Sequence, residues 1–276
     1  SLFVVLKGTI CPIDLVYLYR SSFMPTPART IYRDSLNFYK NEQRSIITLS
    51  AVLALILSVI YLLVGPNAQE SQIINDFIIN FQKTRFADVS PAELEAMNNS
   101  VIGVFQKVLL VYVFELFQQS ILVLVILMLA MALSAGHNVT LNQTFNASLP
   151  RLPKMFLLIL LCSILISAGF MLIIPGIILL VGFALAPVVL VRQQSIGSAI
   201  RLGWKMGFGE SGALIPALGI WILLQFGIGF LSNITGELPN MIHKFLYYFL
   251  KNITSAWMII YLFRLFMLTE NKYITK

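Results

Sequence analysis

Residues 155–191 form a run of 37 residues without one charged side chain. Wound into a single straight helix, such a run would extend about 55 Å, whereas the hydrocarbon core of a bilayer is about 30 Å thick. It must therefore fold back on itself. Pro175-Gly176 offers the break, because proline lacks the donor that a helix interior needs and glycine permits a turn. The expectation is a tight hairpin of two spans, 155–173 and 175–191.

In hydrocarbon every peptide N–H and C=O needs an internal partner, so apolar runs of about 20 residues coil into helices. Four more spans follow at 45–64, 111–133, 213–231 and 254–268, the first closed by Gly65-Pro66. The expected fold class is all-α: a polytopic transmembrane helical bundle of six spans with interfacial amphipathic helices, forming one integral membrane domain over 24–276. Only 11% of the residues are charged, against about 25% in soluble domains, too few to coat a surface facing water. The net charge of +7 invites a nucleic-acid partner, yet the basic residues are strewn between apolar runs and build no dense patch. That argues against nucleic acid and for the phospholipid bilayer, through anionic headgroups of the inner leaflet. Cys11 and Cys162 share no motif, which predicts neither a disulfide nor a zinc site.

Lys and Arg favour cytoplasmic loops. With the N-terminus inside, and residues 1–23 set aside, the cytoplasmic segments carry twelve of them, among them Arg29, Arg33, Arg44, Arg151 and Arg192. The outer segments carry five: Lys83, Arg85, Lys107, Lys244 and Lys251. Both termini are therefore expected in the cytoplasm. Residues 29–44 read as an amphipathic helix on the inner leaflet, with Arg33, Asn37, Lys40 and Arg44 on one face. Residues 71–86 repeat the pattern outside. Ser90-Pro91-Ala92-Glu93 is a capping box that starts a helix running into the second span. Residues 194–208 form a third interfacial helix, with Ile196, Ile200 and Trp204 opposite Arg201 and Lys205.

Glu115 is the one acidic residue inside an expected span, and it shares a helix face with Gln118 and Gln119. Intramembrane carboxylates are functional candidates by default, here as a proton or cation relay. The plainer reading puts Glu115 in the first turns of its span, near the outer interface, hydrogen-bonded or snorkelling to headgroups. Arg264 reads as a positive-inside anchor at the inner end of the sixth span, too far away to pair with it. Gly207, Gly209 and Gly212 spell G-x-G-x-x-G, but no strand precedes them, so a phosphate cradle is not expected. His137 and His243 fall on opposite sides, and no metalloprotease, nucleophile-elbow or Walker motif is present. Small residues four apart, Ser163/Ser167, Gly182/Ala186 and Ala213/Ala217, read as helix-packing contacts. Pro187 marks a kink in the fourth span, and Pro216 falls in the first turn of the fifth. Neither a catalytic group nor a cofactor is implied.

Several stretches carry a family resemblance. Ile31-Tyr32-Arg33-Asp34-Ser35, Leu152-Pro153-Lys154, Pro175-Gly176-Ile177-Ile178, Leu185-Ala186-Pro187-Val188-Val189-Leu190-Val191 and Ile260-Tyr261-Leu262-Phe263-Arg264-Leu265 resemble the YciC family of uncharacterised enterobacterial inner-membrane proteins. The resemblance runs from about residue 24 to the C-terminus. It implies a bacterial inner-membrane location and six spans, and it transfers no activity. Members of that family begin near Tyr32, and Met24 immediately precedes the matching stretch, so residues 1–23 are expected to be translated upstream sequence. The function expected is that of a non-enzymatic integral membrane protein, an accessory factor in envelope or lipid homeostasis. The rival is a small-solute or lipid transporter or channel subunit using Glu115 and the kinked fourth span.

Overall fold

The computed structural model describes residues 28–67, 69–70, 72–73, 91–193, 195–234 and 239–274. Residues 1–23, and nearly all of the amphipathic helix expected over 71–86, lie outside them. Among the described residues there is no strand. The helices are α1 (Ala28–Asn41), α2 (Gln43–Val64), α3 (Pro91–Ser134), α4 (Leu141–Ser148), α5 (Leu152–Phe170), α6 (Ile174–Phe183), α7 (Ala186–Gln193), α8 (Ile196–Gly209), α9 (Ser211–Ile234) and α10 (Asn240–Ile274). Six segments are long and apolar enough to cross a membrane: α2, most of α3, α4 with α5, α6 with α7, α9 and α10.

The helix expected after the capping-box sequence begins at Pro91 and continues unbroken to Ser134. A second capping box, not anticipated, starts α4: Thr140 Oγ1 accepts from the Gln143 N–H, and Gln143 Oε1 accepts from the Thr140 N–H at 2.9 Å. The charge-free run does fold into a hairpin, but its break falls ahead of the expected pair. α5 ends at Phe170 and the turn is centred on Ile173, whose φ is +59°. The Ile174 N–H donates to the Leu172 carbonyl at 2.7 Å, the bond of a γ-turn. Pro175 and Gly176 instead open α6, where a missing donor costs nothing because first-turn N–H groups have no helical partner. Gly176 is needed for close approach: a Cβ there would lie 2.6 Å from the Phe170 ring.

The fourth crossing is broken at Ala184-Leu185, just before Pro187, which has no N–H to offer the Phe183 carbonyl. The kink expected from Pro187 is thus present. Pro216 departs from expectation, because α9 starts at Ser211 and the proline sits in its second turn.

Cross-helix neighbours set the register. Asn252 donates to the Ser50 carbonyl, Lys244 lies over the Tyr61 ring at 4.1 Å, Gln225 donates to Thr254, and Ser232 is bonded to His243. α10 therefore runs antiparallel to α2 and α9 along its N-terminal half. At the other end of the bundle Leu124, Arg151, Lys154 and Val191 line one cleft. These pairings put Arg44, Arg151, Lys154 and Arg192 on one face and Tyr61, Lys107 and Lys244 on the opposite face. α10 itself runs over Asn240–Ile274 and so takes in residues 240–253, which lie ahead of the span expected at 254–268. Leu262, Phe263, Leu265 and Phe266, near its other end, are buried in the core.

α10 is the least apolar crossing segment and the best shielded, 72% buried against 22% for the α4–α5 and α9 segments. Polar side chains in a bilayer are least costly inside protein, so the helix that carries most of them takes the centre. The helix over residues 194–208 is recovered as α8, but it does more than lie on a surface. Ala199, Gly203, Met206 and Gly207 are buried against α6 and α7. A Cβ on Gly203 would meet the Ala186 backbone at 2.8 Å, and one on Gly207 the Val181 carbonyl at 2.4 Å. Gly182 and Ala186 serve the close packing expected of them, receiving Trp204 and Gly203. Ser167 does not, because it is exposed; Gly169 makes the α5–α6 approach in its place. α1 packs its Ile31, Ser35 and Phe38 against α10, with Tyr32 edge-on to Trp257.

Candidate functional site

Of the residues singled out in sequence, Glu115 and Gln118 are brought together with partners on α10. Lys251 Nζ donates to Glu115 Oε1 in an ion pair. One position along, Gln118 Nε2 donates to Asn252 Oδ1 at 2.8 Å, and Asn252 Nδ2 donates on to the Ser50 carbonyl at 3.2 Å. On the other flank of α10, Gln225 Nε2 donates to Thr254 Oγ1 at 3.0 Å and Ser255 Oγ at 3.4 Å. Side chains from α3, α9 and α10, with the Ser50 carbonyl of α2, thus form one polar layer across the bundle. With Lys244 marking one face, Lys251 lies about 10 Å deeper along α10. Glu115 is thus hydrogen-bonded to protein, one of the two forms that the plainer reading allowed.

Sequence reasoning missed Lys251 and Asn252 because the sixth span was started at residue 254, leaving both in a loop. The signal was present: Lys251, Asn252, Thr254 and Ser255 interrupt an otherwise apolar helix, and a polar run in a buried helix is where partners for Glu115 belong. The separation of Glu115 from Arg264 is as expected. Arg264 is half-buried, its guanidinium 5.3 Å from the centre of the Phe38 ring and its Nε buried without a hydrogen-bond partner. It seats α1 on α10 through a cation–π contact and so does more than anchor an end.

Gln119, one turn beyond Glu115, is not hydrogen-bonded to that pair. It lines a cavity of about 150 Å³ together with Val123, Leu127, Leu180, Ala184, Pro187, Leu218, Trp221, Ser255 and Met258. Pro187 thereby acquires a place in the architecture: the break it causes opens the wall of this cavity. Gly207 and Gly209 are helix-packing residues, the former against Val181 and the latter against Tyr273. Among the described residues no group of three or more His, Cys, Asp or Glu could hold a metal ion.

The profile of an uncharacterised protein family, UPF0259, matches residues 24–268. A UPF0259 membrane protein of Photorhabdus laumondii is 32% identical over 258 residues, covering 89% of this chain and 96% of the relative. Another, from Pectobacterium carotovorum, is 32% identical over 249 residues, covering 89% and 99%. One from Serratia proteamaculans is 29% identical and is covered over its whole length. No solved structure matches. Six apolar crossing segments with lipid-facing walls and relatives named as membrane proteins make this an integral membrane protein in contact with the bilayer. The chain belongs to the uncharacterised protein family UPF0259.

Proposed function

We propose that this chain is a non-enzymatic, multi-pass protein of the bacterial inner membrane, an accessory factor in envelope or lipid homeostasis. Its strongly basic face (Arg44, Arg151, Lys154, Arg192) is then cytoplasmic, with both termini on that side and anionic headgroups against it. The observation that carries the non-transport reading is the pairing of the candidate side chains with one another. Glu115 is held by Lys251, and Gln118 by Asn252, which is itself tied to α2. Side chains occupied with one another cross-link spans, whereas a relay needs a carboxylate that can exchange its partner for water or solute. The test is a deletion strain with quantitative lipid analysis. A changed phospholipid or envelope-lipid profile, restored by the full chain, is expected; an unaltered profile under envelope stress would remove the reading.

The depth of Glu115 favours a second reading, a small-solute or lipid transporter subunit. Paired intramembrane charges do occur on transport pathways. Proteoliposomes that carry a pH-dependent flux abolished by Glu115→Gln would establish it.

A further inference from the structure

We infer that the cleft between α3, α5 and α7 on the basic face is a binding site for the phosphate of an acidic phospholipid, received by Arg151 and Lys154. The inference deepens the proposal that anionic headgroups lie against this face and rests on it for the source of the phosphate. The cleft has a volume of about 270 Å³, near the lower end of the range for small-molecule pockets, about 300–1,000 Å³. That suits a headgroup with its glycerol and leaves the acyl chains outside. Leu124, Met155, Leu190 and Val191, all buried, give the cleft an apolar lining, and the only charged groups added to it by the described residues are Arg151 and Lys154.

The surroundings of Arg151 ask for an anion. Its Nη1 donates to the Met128 sulfur at 3.3 Å and to the Val191 carbonyl at 3.5 Å. A thioether is a weak acceptor and the second bond is at the limit of length, so neither neutral partner balances the charge. Nε and Nη2 have no hydrogen bond among the described residues and are not closed off from water, so a ligand can reach them. Glu270, held by the adjoining Arg192 through two bonds of 3.1 Å, is already engaged. Lys154 is exposed and stands in the first turn of α5, where the positive end of the helix adds to the field. A guanidinium can grip two phosphate oxygens side by side, and the ammonium adds a point charge. A zwitterionic headgroup would bring an ammonium of its own to a lining that holds no carboxylate, so charge complementarity selects an acidic lipid. The apolar lining beside the two cations favours an amphiphile over a free phosphate.

The purified full chain in non-ionic detergent is titrated with dioleoyl phosphatidylglycerol and, separately, with dioleoyl phosphatidylcholine, following melting temperature and the lipid retained in native mass spectrometry. Saturable binding of phosphatidylglycerol is expected, about tenfold or more tighter than that of phosphatidylcholine. Arg151→Gln should weaken it about tenfold or more and Lys154→Gln about threefold or more. Arg44→Gln removes the same charge from the same face outside the cleft, and should change affinity by less than about twofold. Equal affinity for the two lipids, or equal losses in Arg44→Gln and Arg151→Gln, overturns the site, because charge spread over the face would account for either. Millimolar glycerol 3-phosphate should leave the retained lipid in place; displacement would assign the cleft to a soluble phosphate ester and overturn the lipid. If Arg151→Gln does not fold, unchanged affinity in Lys154→Gln overturns the site. Failed binding beside an altered lipid profile in the deletion strain would remove the cleft alone, and selective binding beside an unaltered profile would remove the homeostasis reading alone.

Discussion

Gly203 and Gly207 stand where α8 meets the backbones of α7 and α6, so a methyl group at either pushes against main chain and, at Gly203, the Ala186 Cβ, neither of which can swing away. Gly207→Ala is expected to destabilise the protein by about 1–3 kcal/mol, the range for overpacking a tight contact. Gly219, on the exposed side of α9 with nothing within 4 Å, is the internal control. Gly219→Ala should be neutral or stabilising by up to about 1 kcal/mol, since alanine loses less chain entropy in a helix. Thermal unfolding of both variants in detergent checks the contrast, and equal effects would mean that α8 is not seated on these glycines. Ile173 offers the opposite test. A β-branched residue at φ +59° is strained by about 1–2 kcal/mol, so Ile173→Gly should stabilise the hairpin by about 1 kcal/mol even though it shortens an apolar side chain. The glycine contacts were half legible in sequence. Gly182 and Ala186 announce themselves by spacing, but their partners on α8 do not, because nothing local says which helix returns against them.

The pairing of α3 with α10 rests on charge as well as shape. Removing one member of the Glu115–Lys251 pair leaves the other uncompensated inside the bundle, which costs more than the pair itself contributes. Glu115→Gln and Lys251→Met should therefore each destabilise, and the double variant should recover a large part of the loss, with a coupling of about 1 kcal/mol or more in the cycle. Additive losses would show that the two side chains act independently. The other end of α3 is held differently. Lys107 donates to Glu70 at 2.6 Å, and the Asn67 N–H donates to the same carboxylate. Those bonds, the one from Lys107 first, hold the Glu70 carboxyl below its ordinary range. A depressed carboxylate stabilises the folded form above the unfolded-state value and loses that contribution as pH falls through the folded one. The segment after α2 should thus stay tied to α3 at neutral pH and loosen only in acid. Protection of the Asn67 amide, taken relative to its intrinsic exchange rate at each pH, should fall at low pH in the wild type and be low already at pH 7 in Glu70→Gln.

Across the whole molecule, what the sequence disclosed was the number of crossings and their breaks, because both follow from chain length, proline chemistry and the cost of bare peptide groups in oil. Depth was not disclosed. Windows over 111–133 and 254–268 track the most apolar residues, whereas α3 and α10 are longer than those windows and also pack against α1, α4 and α8. The candidate site followed the same rule: Glu115 and Gln118 are visible as polar residues in an apolar run, whereas Lys251 and Asn252 were lost with the register. Single-cysteine labelling separates the two registers. If the crossing part of α10 began at residue 254, Lys251→Cys would sit in water and react with a membrane-impermeant maleimide added to intact spheroplasts. With Asn252 bonded across to Ser50 and Lys244 stacked on Tyr61 at the rim, Lys251→Cys should instead resist the reagent until the protein is denatured. His243→Cys, one position before that rim, should react readily. Asn271→Cys, on the basic face beyond Glu270 and its partner Arg192, should react only in inverted vesicles. Labelling of Lys251→Cys as fast as His243→Cys would return the ion pair to the surface, and with it would go the buried polar layer.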